Sequence, residues 1–437
     1  MATATGNLVN DTNGLGDKSH SSDMSPEVET KPANPMGDIP NGGTMAWLHV
    51  LGAFMLYFNT WGILNTFGVF QTFYESGTLF VQSSSNISWI GSIQAFLVLV
   101  VGFLSGPIYD GGHLRALLVT GSFLIVFGHM MLSLVTTYWQ AVLAQGVCIG
   151  LGSGLIYVPA VAILPTYFST RLGLAVGLAA AGSSIGGIIY PIVFYKLIAS
   201  IGFGWSVRVV GFIALATLAI PIMVMKMRVK PPKARALFDK SALTDWPFLL
   251  FTLATLIGFM GLYTMFFYLS YYAEANHITS TDLAFYLVPI LNASSIFGRT
   301  IPNAVSDSTG TFNLIGPGAI IVAIIIFGML GAKSVASVVI LAILFGFFSG
   351  VFIALPPVCI VRLTKDRATI GTRMGMAFGI IGLGVFVGGP GGGGLLASGS
   401  GNNWDALWTF GGVASLVSGV LFMGVRVWKA GLKLVKV

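Results

Sequence analysis

The sequence predicts an all-α polytopic membrane protein, with twelve transmembrane helices arranged as two six-helix halves. Three observations lead to this fold class. The 437 residues are 55% hydrophobic and only 8% charged, with a mean hydropathy of +0.86, whereas a soluble domain carries about a quarter charged residues. Apolar residues fall in runs long enough to cross roughly 30 Å of hydrocarbon as helices, separated by short polar joints. The 57 glycines suit helices that pack closely in lipid.

Taken in order, residues 1–44 are polar, rich in Ser, Asn, Asp and Pro and almost free of aromatics. Such a segment cannot bury enough apolar surface to fold alone and is expected to be a disordered cytoplasmic tail. It has no basic region followed by an apolar run, so it does not read as a signal peptide. An N-terminal half over 45–227 holds spans near 47–74, 86–109, 113–134, 138–166, 171–196 and 205–227. The run "MKMRVKPPKARALFDKSALTDW" (Met225–Trp246) is the longest internal polar stretch and supplies a cytoplasmic linker over 228–245. As a tether its basic residues suit anionic lipid. A C-terminal half over 246–430 holds spans near 246–270, 282–303, 311–330, 334–362, 371–397 and 404–428, before a tail over 431–437.

Charge placement orients the chain. With both termini in the cytoplasm, 18 of the 22 Lys and Arg fall on that side; Lys196, Arg208 and Lys333 fall on the other, and Arg299 lies within a span. That asymmetry is the positive-inside pattern. The expected location is the plasma membrane, multi-pass, although nothing in the sequence separates it from the vacuole.

Arg299, in "YLVPILNASSIFGRTIPNAVSD", is the charge that demands an account. A cation at membrane depth is costly, so it faces either a water-filled path with a partner or, snorkelling, the cytoplasmic border. Amides at Asn59, Asn65, Gln94, Gln140, Gln145 and Asn292 join neighbouring helices or face a cavity, and Asn65 is the candidate for the cavity. Acids stay at span borders: Asp110, Asp307, Asp366 and Asp405. The turn "GPIYDGGHLR" (Gly106–Arg115) is matched in position by "GRTIPNAVSDSTG" (Gly298–Gly310) in the second half. Asp110 and Asp307 are therefore candidate conformational residues, holding helices together through an arginine or a helix start in one state of a cycle.

These stretches resemble the monocarboxylate-transporter family of the major facilitator superfamily, its fungal members in particular. "NGGTMAWLHVLGAF" is similar to that family's Asp-Gly-Gly-Trp-Gly-Trp opening, and "GPIYDGGHLR" to the superfamily's loop between spans two and three. The stretch Tyr138–Ile192 is the most specific match. The resemblance covers essentially everything after residue 40. It implies the major facilitator fold and alternating access around one central site. It further implies that Arg299 matches the arginine of span eight that pairs with a substrate carboxylate.

The departures bear on coupling. Ser295 stands where the family has an aspartate tied to protons, and Asn65 where it has a lysine. Arg171-Leu172 replaces a doubled arginine, and Gly111 follows Asp110 in place of an arginine. Lactate-like proton symport is thus in doubt, and proton linkage stays open.

The expected partner is a small or mid-sized organic solute, a carboxylate or other weakly anionic metabolite, with a proton as an optional companion. The candidate substrate residues are Arg299, Asn65, Trp61, Asn292, Ser295 and Tyr263; further aromatics at Phe67, Phe267 and Tyr268 suit the same site. Asp110, Arg115, Arg171, Asp307, Pro390 and Gly391 are the candidate gating residues. Membrane lipid surrounds the chain. No nucleic acid, metal or cofactor is implied, and a monomer suffices because two halves supply both walls of a cavity. An enzyme is not expected, since His20, His49, His113, His129 and His277 are scattered and no base and nucleophile converge. The alternatives are a transporter-shaped receptor or scaffold, and a facilitated exporter of a neutral secondary metabolite.

The run "FVGGPGGGGLLASGSG" (Phe386–Gly401) does not read as a nucleotide loop. No Lys and Ser or Thr follow the glycines, as a phosphate-binding loop requires. It reads instead as the outer half of span eleven, where missing side chains admit a close neighbour and Pro390 favours a bend.

Overall fold

The computed structural model describes residues 39–228, 236–366, 369–398 and 402–431. Most of the expected tail over 1–44, the middle of the 228–245 linker and the tail beyond Gly431 lie outside the described residues. Among the described residues every regular element is helical.

The first half begins with α1 (Thr44–Glu75), which is interrupted at Thr60 and Thr66. There the hydroxyl of Thr60 donates to the Leu56 carbonyl and that of Thr66 to the Gly62 carbonyl, both at 2.9 Å, the back-bonding that bends helices. Next come α2 (Ser84–Asp110) and α3 (Leu114–Leu132). Helix α4 (Tyr138–Thr166) carries a π-helical stretch over Val142–Ile149. A continuous helical segment, Leu172–Val224, then breaks at Gly202 (φ 73°, ψ 172°) into two arms, α5 (172–201) and α6 (203–224). No atom crowds Gly202, so its left-handed backbone, not space, calls for glycine there.

The second half contains α7 (Trp246–Ala275), α8 (Thr281–Thr309), α9 (Phe312–Gly331), α10 (Val335–Leu363), α11 (Ile370–Leu396) and α12 (Trp404–Ala430). Helix α10 is interrupted at Leu355, ahead of Pro356 and Pro357. By length and composition ten segments can cross a membrane, with Leu172–Val224 counted as one. The twelve spans read in the sequence differ from this in two places. One is the break at Gly202; the other is α8, as long as its neighbours but made more polar by Asp282, Arg299 and Asp307.

The halves share an internal design. The α2–α3 turn uses Gly112 at φ 92° and the α8–α9 turn uses Gly310 at φ 93°. The stretch Gly298–Thr309, read in the sequence as a turn, is thus the last part of α8, and only Gly310 turns the chain. All these helices belong to one compact unit, Ile39–Val437. Its halves meet along α2–α11, α5–α8 and the far part of α1 against α7. Small residues set those seams: a Cβ at Gly393 of α11 would lie 2.7 Å from Ser85 backbone atoms of α2.

Candidate functional site

Between the halves lies a cavity of about 320 Å³, with walls from α1, α2, α4, α5, α7, α8, α10 and α11. At its mouth stand exposed Ser169 and Thr170 in the α4–α5 connection. Deep in it sits Arg299, only 2% exposed and the one charged residue among the described residues that line the cavity. Its depth follows from α8 itself. Ser280 caps the helix by accepting from the Leu283 N–H at 3.3 Å, and Arg299 lies eighteen residues beyond Thr281, about 27 Å along the axis.

The guanidinium is held by neutral partners. Its Nε donates to Ser295 Oγ at 3.0 Å, and Nη1 donates to Ser183 Oγ of α5, across the seam between halves. Asn303, one turn on, returns its amide to the Arg299 carbonyl at 2.8 Å. Tyr57, Tyr157 and Tyr263 lie near enough to interact electrostatically with it. Tyr157 meets Trp61 edge-on, with centroids 5.7 Å apart, and Tyr57 at 6.2 Å. Phe259 and Phe378 complete an aromatic wall. One cation in an aromatic box, with hydroxyls to orient it, suits a flat organic anion.

Of the residues singled out in the sequence, Arg299 and Trp61 line the cavity, Ser295 accepts from the guanidinium, and Tyr263 lies near enough to interact with its charge without lining the cavity. Asn65 and Asn292 do not line it. Asn65 Nδ2 donates to Asn292 Oδ1 at 3.1 Å, joining α1 to α8. Phe67, Phe267 and Tyr268 also go elsewhere, to the closed end. Phe67 meets Phe267 with centroids 4.7 Å apart, and Tyr268 donates to the Gly389 carbonyl at 3.1 Å. Most other amides are satisfied locally: Asn59 by Met55, Thr217 and Tyr190, Gln145 by Tyr74, Gln140 by the backbone of Thr136 and Thr137. Gln94 is fully buried, and its side chain has no hydrogen-bond partner.

Sequence reasoning missed Ser183, Tyr57, Tyr157, Phe259 and Phe378. Tyr57 precedes Trp61 by one helical turn, a spacing that places both on one face; the others come from different helices, and no linear signal marks them.

The far end of the cavity is shut. Ser85 Oγ of α2 donates to the Pro390 carbonyl at 3.0 Å, and Trp89 and Phe96 both pack on Phe386, at 4.8 Å each. Tyr195 of α5 stacks on Phe285 at 3.8 Å and donates to Asp282. Pro390 sits inside an unbroken α11, and a Cβ at Gly391 would meet only Phe410, at 3.9 Å.

At the mouth end, Asp110 closes α2, Arg171 caps α5, and Arg115 and Arg171 are exposed; the Asp307 side chain is outside what is described. Two braces there were not foreseen. Asn41 Oδ1 accepts from the N–H groups of Ser169 (2.6 Å) and Thr170 (2.9 Å). Arg373 pairs with Asp239 at 2.8 Å and Asp245 at 2.7 Å, and donates to Ser241, so the end of the linker is docked on α11. Those bonds from Arg373 and Ser241 hold the Asp239 carboxyl below the usual carboxylate range.

The comparisons with known proteins agree with this architecture. The chain is 60% identical over 402 residues to the "MFS-type transporter dbaD" of Emericella nidulans, covering 91% of this chain and 90% of that one. It is 36% identical over 388 residues to the "Aspyridones efflux protein apdF" of the same organism, covering 89% and 79%. Among solved structures, a POT family transporter in complex with 5-aminolevulinic acid superposes with a TM-score of 0.72 at 12% identity, over 90% of this chain and 99% of that one. The nucleoside transporter NupG (D323A mutant) does so at 0.69 and 16%, over 87% and 100%. Both share the fold. The helices, the central cavity and a sequence match over residues 46–369 together make this chain an integral, multi-pass membrane protein that belongs to the Major Facilitator Superfamily.

Proposed function

We propose that the protein is a secondary transporter that moves a small or mid-sized organic anion, a carboxylate or comparable weak acid with a flat ring, by alternating access. The halves rock about the cavity, six spans each, with both termini in the cytoplasm of a plasma-membrane protein. The single observation that carries the substrate class is Arg299, the one charge among the described residues lining an aromatic cavity. The excess of Lys and Arg on the mouth side supports a cytoplasm-facing mouth, and hence a cavity loaded from inside. The relative named for aspyridones efflux supports export of a secondary metabolite.

The test is binding of salicylate to purified protein, read by tryptophan fluorescence. Arg299→Ala is expected to weaken binding by about 10- to 100-fold, the worth of a charge-assisted pair. Lys333→Ala, at an exposed site outside the cavity, is expected to stay within about twofold of the unmodified protein. Neutral salicylamide binding as tightly as salicylate, or Arg299→Ala without effect, would refute the anion site.

A further inference from the structure

We infer that the protein is an anion exchanger: reorientation in either direction requires an anion on Arg299, so the loaded carrier cycles and the empty one stalls. This rests on the reading of Arg299 as the anion site.

Among the described residues that line it, the cavity holds one fixed positive charge and no acid. Arg299 is bonded by the hydroxyls of Ser183 and Ser295 and faced by the phenols of Tyr57, Tyr157 and Tyr263, all neutral groups. The acids whose side chains are described stand elsewhere. Glu75, Glu274 and Asp282 sit at the closed ends of α1, α7 and α8. Asp110 ends α2, Asp239 and Asp245 hold Arg373, and Asp366 and Asp405 lie in or beside connections. Asp307 is eight residues beyond Arg299 on the same helix, about 12 Å along it.

A guanidinium cannot escape by losing its proton. In the present state Arg299 borders a cavity whose mouth admits water; when the mouth closes, that water leaves and an unpaired buried cation remains, a costly state. A bound anion cancels the charge, so it lowers the barrier for the loaded form only. A proton cannot take the anion's place, because it adds positive charge, and no acid stands among the described residues lining the cavity to take one up. Both legs of the cycle are therefore completed with cargo aboard.

The probe is benzenesulfonate, which is permanently ionised and carries no proton, in proteoliposomes with the membrane potential clamped by potassium and valinomycin. Uptake of labelled probe is expected to be at least about tenfold faster into vesicles preloaded with unlabelled probe than into empty ones, with a pH gradient changing it by less than about twofold. Equal rates into empty and preloaded vesicles, while Arg299-dependent binding persists, would overturn exchange and leave the anion site standing. Absence of saturable binding would remove the site and exchange with it.

A second measurement needs no cargo. Ser85 is sealed against Pro390 at the closed end, so a thiol at Ser85→Cys, in a background with Cys148→Ala and Cys359→Ala, reports opening there to a maleimide in detergent. Adding Arg299→Met is expected to speed anion-free labelling at least about fivefold. Unchanged labelling would overturn the proposal.

Discussion

Asn65 and Asn292 join the halves by one bond between two amides that are at least nine-tenths buried. Gly187 lies so close to Asn292 that a Cβ there would stand 2.6 Å from its amide, so the amide is fixed by packing as well. Where water is excluded, losing one partner strands the other. Asn65→Ala and Asn292→Ala are each expected to favour opening of the shut end, and a double-mutant cycle should show coupling of about 1 kcal/mol. Thiol accessibility at Ser85→Cys is the readout, and strict additivity would argue against a working bond. Residue identity made Arg299 and Trp61 legible in the sequence, since a lone charge and a large aromatic in a span need an explanation. Whether an amide faces a cavity or another amide depends on helix rotation within the assembled halves, so the split between Asn65 and Ser183 was not legible.

Helix α11 shows how one element discriminates between neighbours within its own glycine run. A Cβ at Gly393 would lie 2.5 Å from the Tyr268 hydroxyl and 2.7 Å from Ser85 backbone atoms, whereas at Gly394 it would meet nothing within 4 Å. Gly393→Ala is therefore expected to hold α2 and α11 apart and cut transport by at least about tenfold. Gly394→Ala, which gains helix propensity of up to about 1 kcal/mol, should transport within about twofold of the parent. Equal loss in both would mean the run serves flexibility and not contact. The sequence marked the run as a place of close approach; it could not say which glycines touch, because that depends on the phase of α11 against α2. Pro390 stands inside a helix that runs without interruption from Ile370 to Leu396.

At the scale of the molecule, the linker is more than a tether. Arg373 gathers Asp239, Asp245 and Ser241 into one cluster on the second half, which gives the chain crossing between halves a fixed landing point. Because Asp239 is held below the usual carboxylate range, its stabilising effect is complete above the unfolded-state value near pH 4 and is lost as pH falls through the lower folded value. The melting-temperature gap between wild type and Arg373→Gln is thus expected to be constant from pH 7 to about pH 5 and to shrink below about pH 4. A gap independent of pH would mean the cluster acts through packing alone. Periodicity and charge made the helices and their pairing into halves readable, because lipid forces long apolar runs and leaves basic residues on one side. The docked linker was not readable, because Arg373 lies more than a hundred residues beyond the acids it pairs with.

The cavity of about 320 Å³ also sets a limit on girth. On the proposed reading of Arg299, an anion small enough to be enclosed would let the mouth close behind it and leave on the other side. A wider one that reaches Arg299 while protruding past Ser169 and Thr170 props the mouth open, and the far seal stays shut. Passenger and plug would then share the same headgroup chemistry and differ only in width.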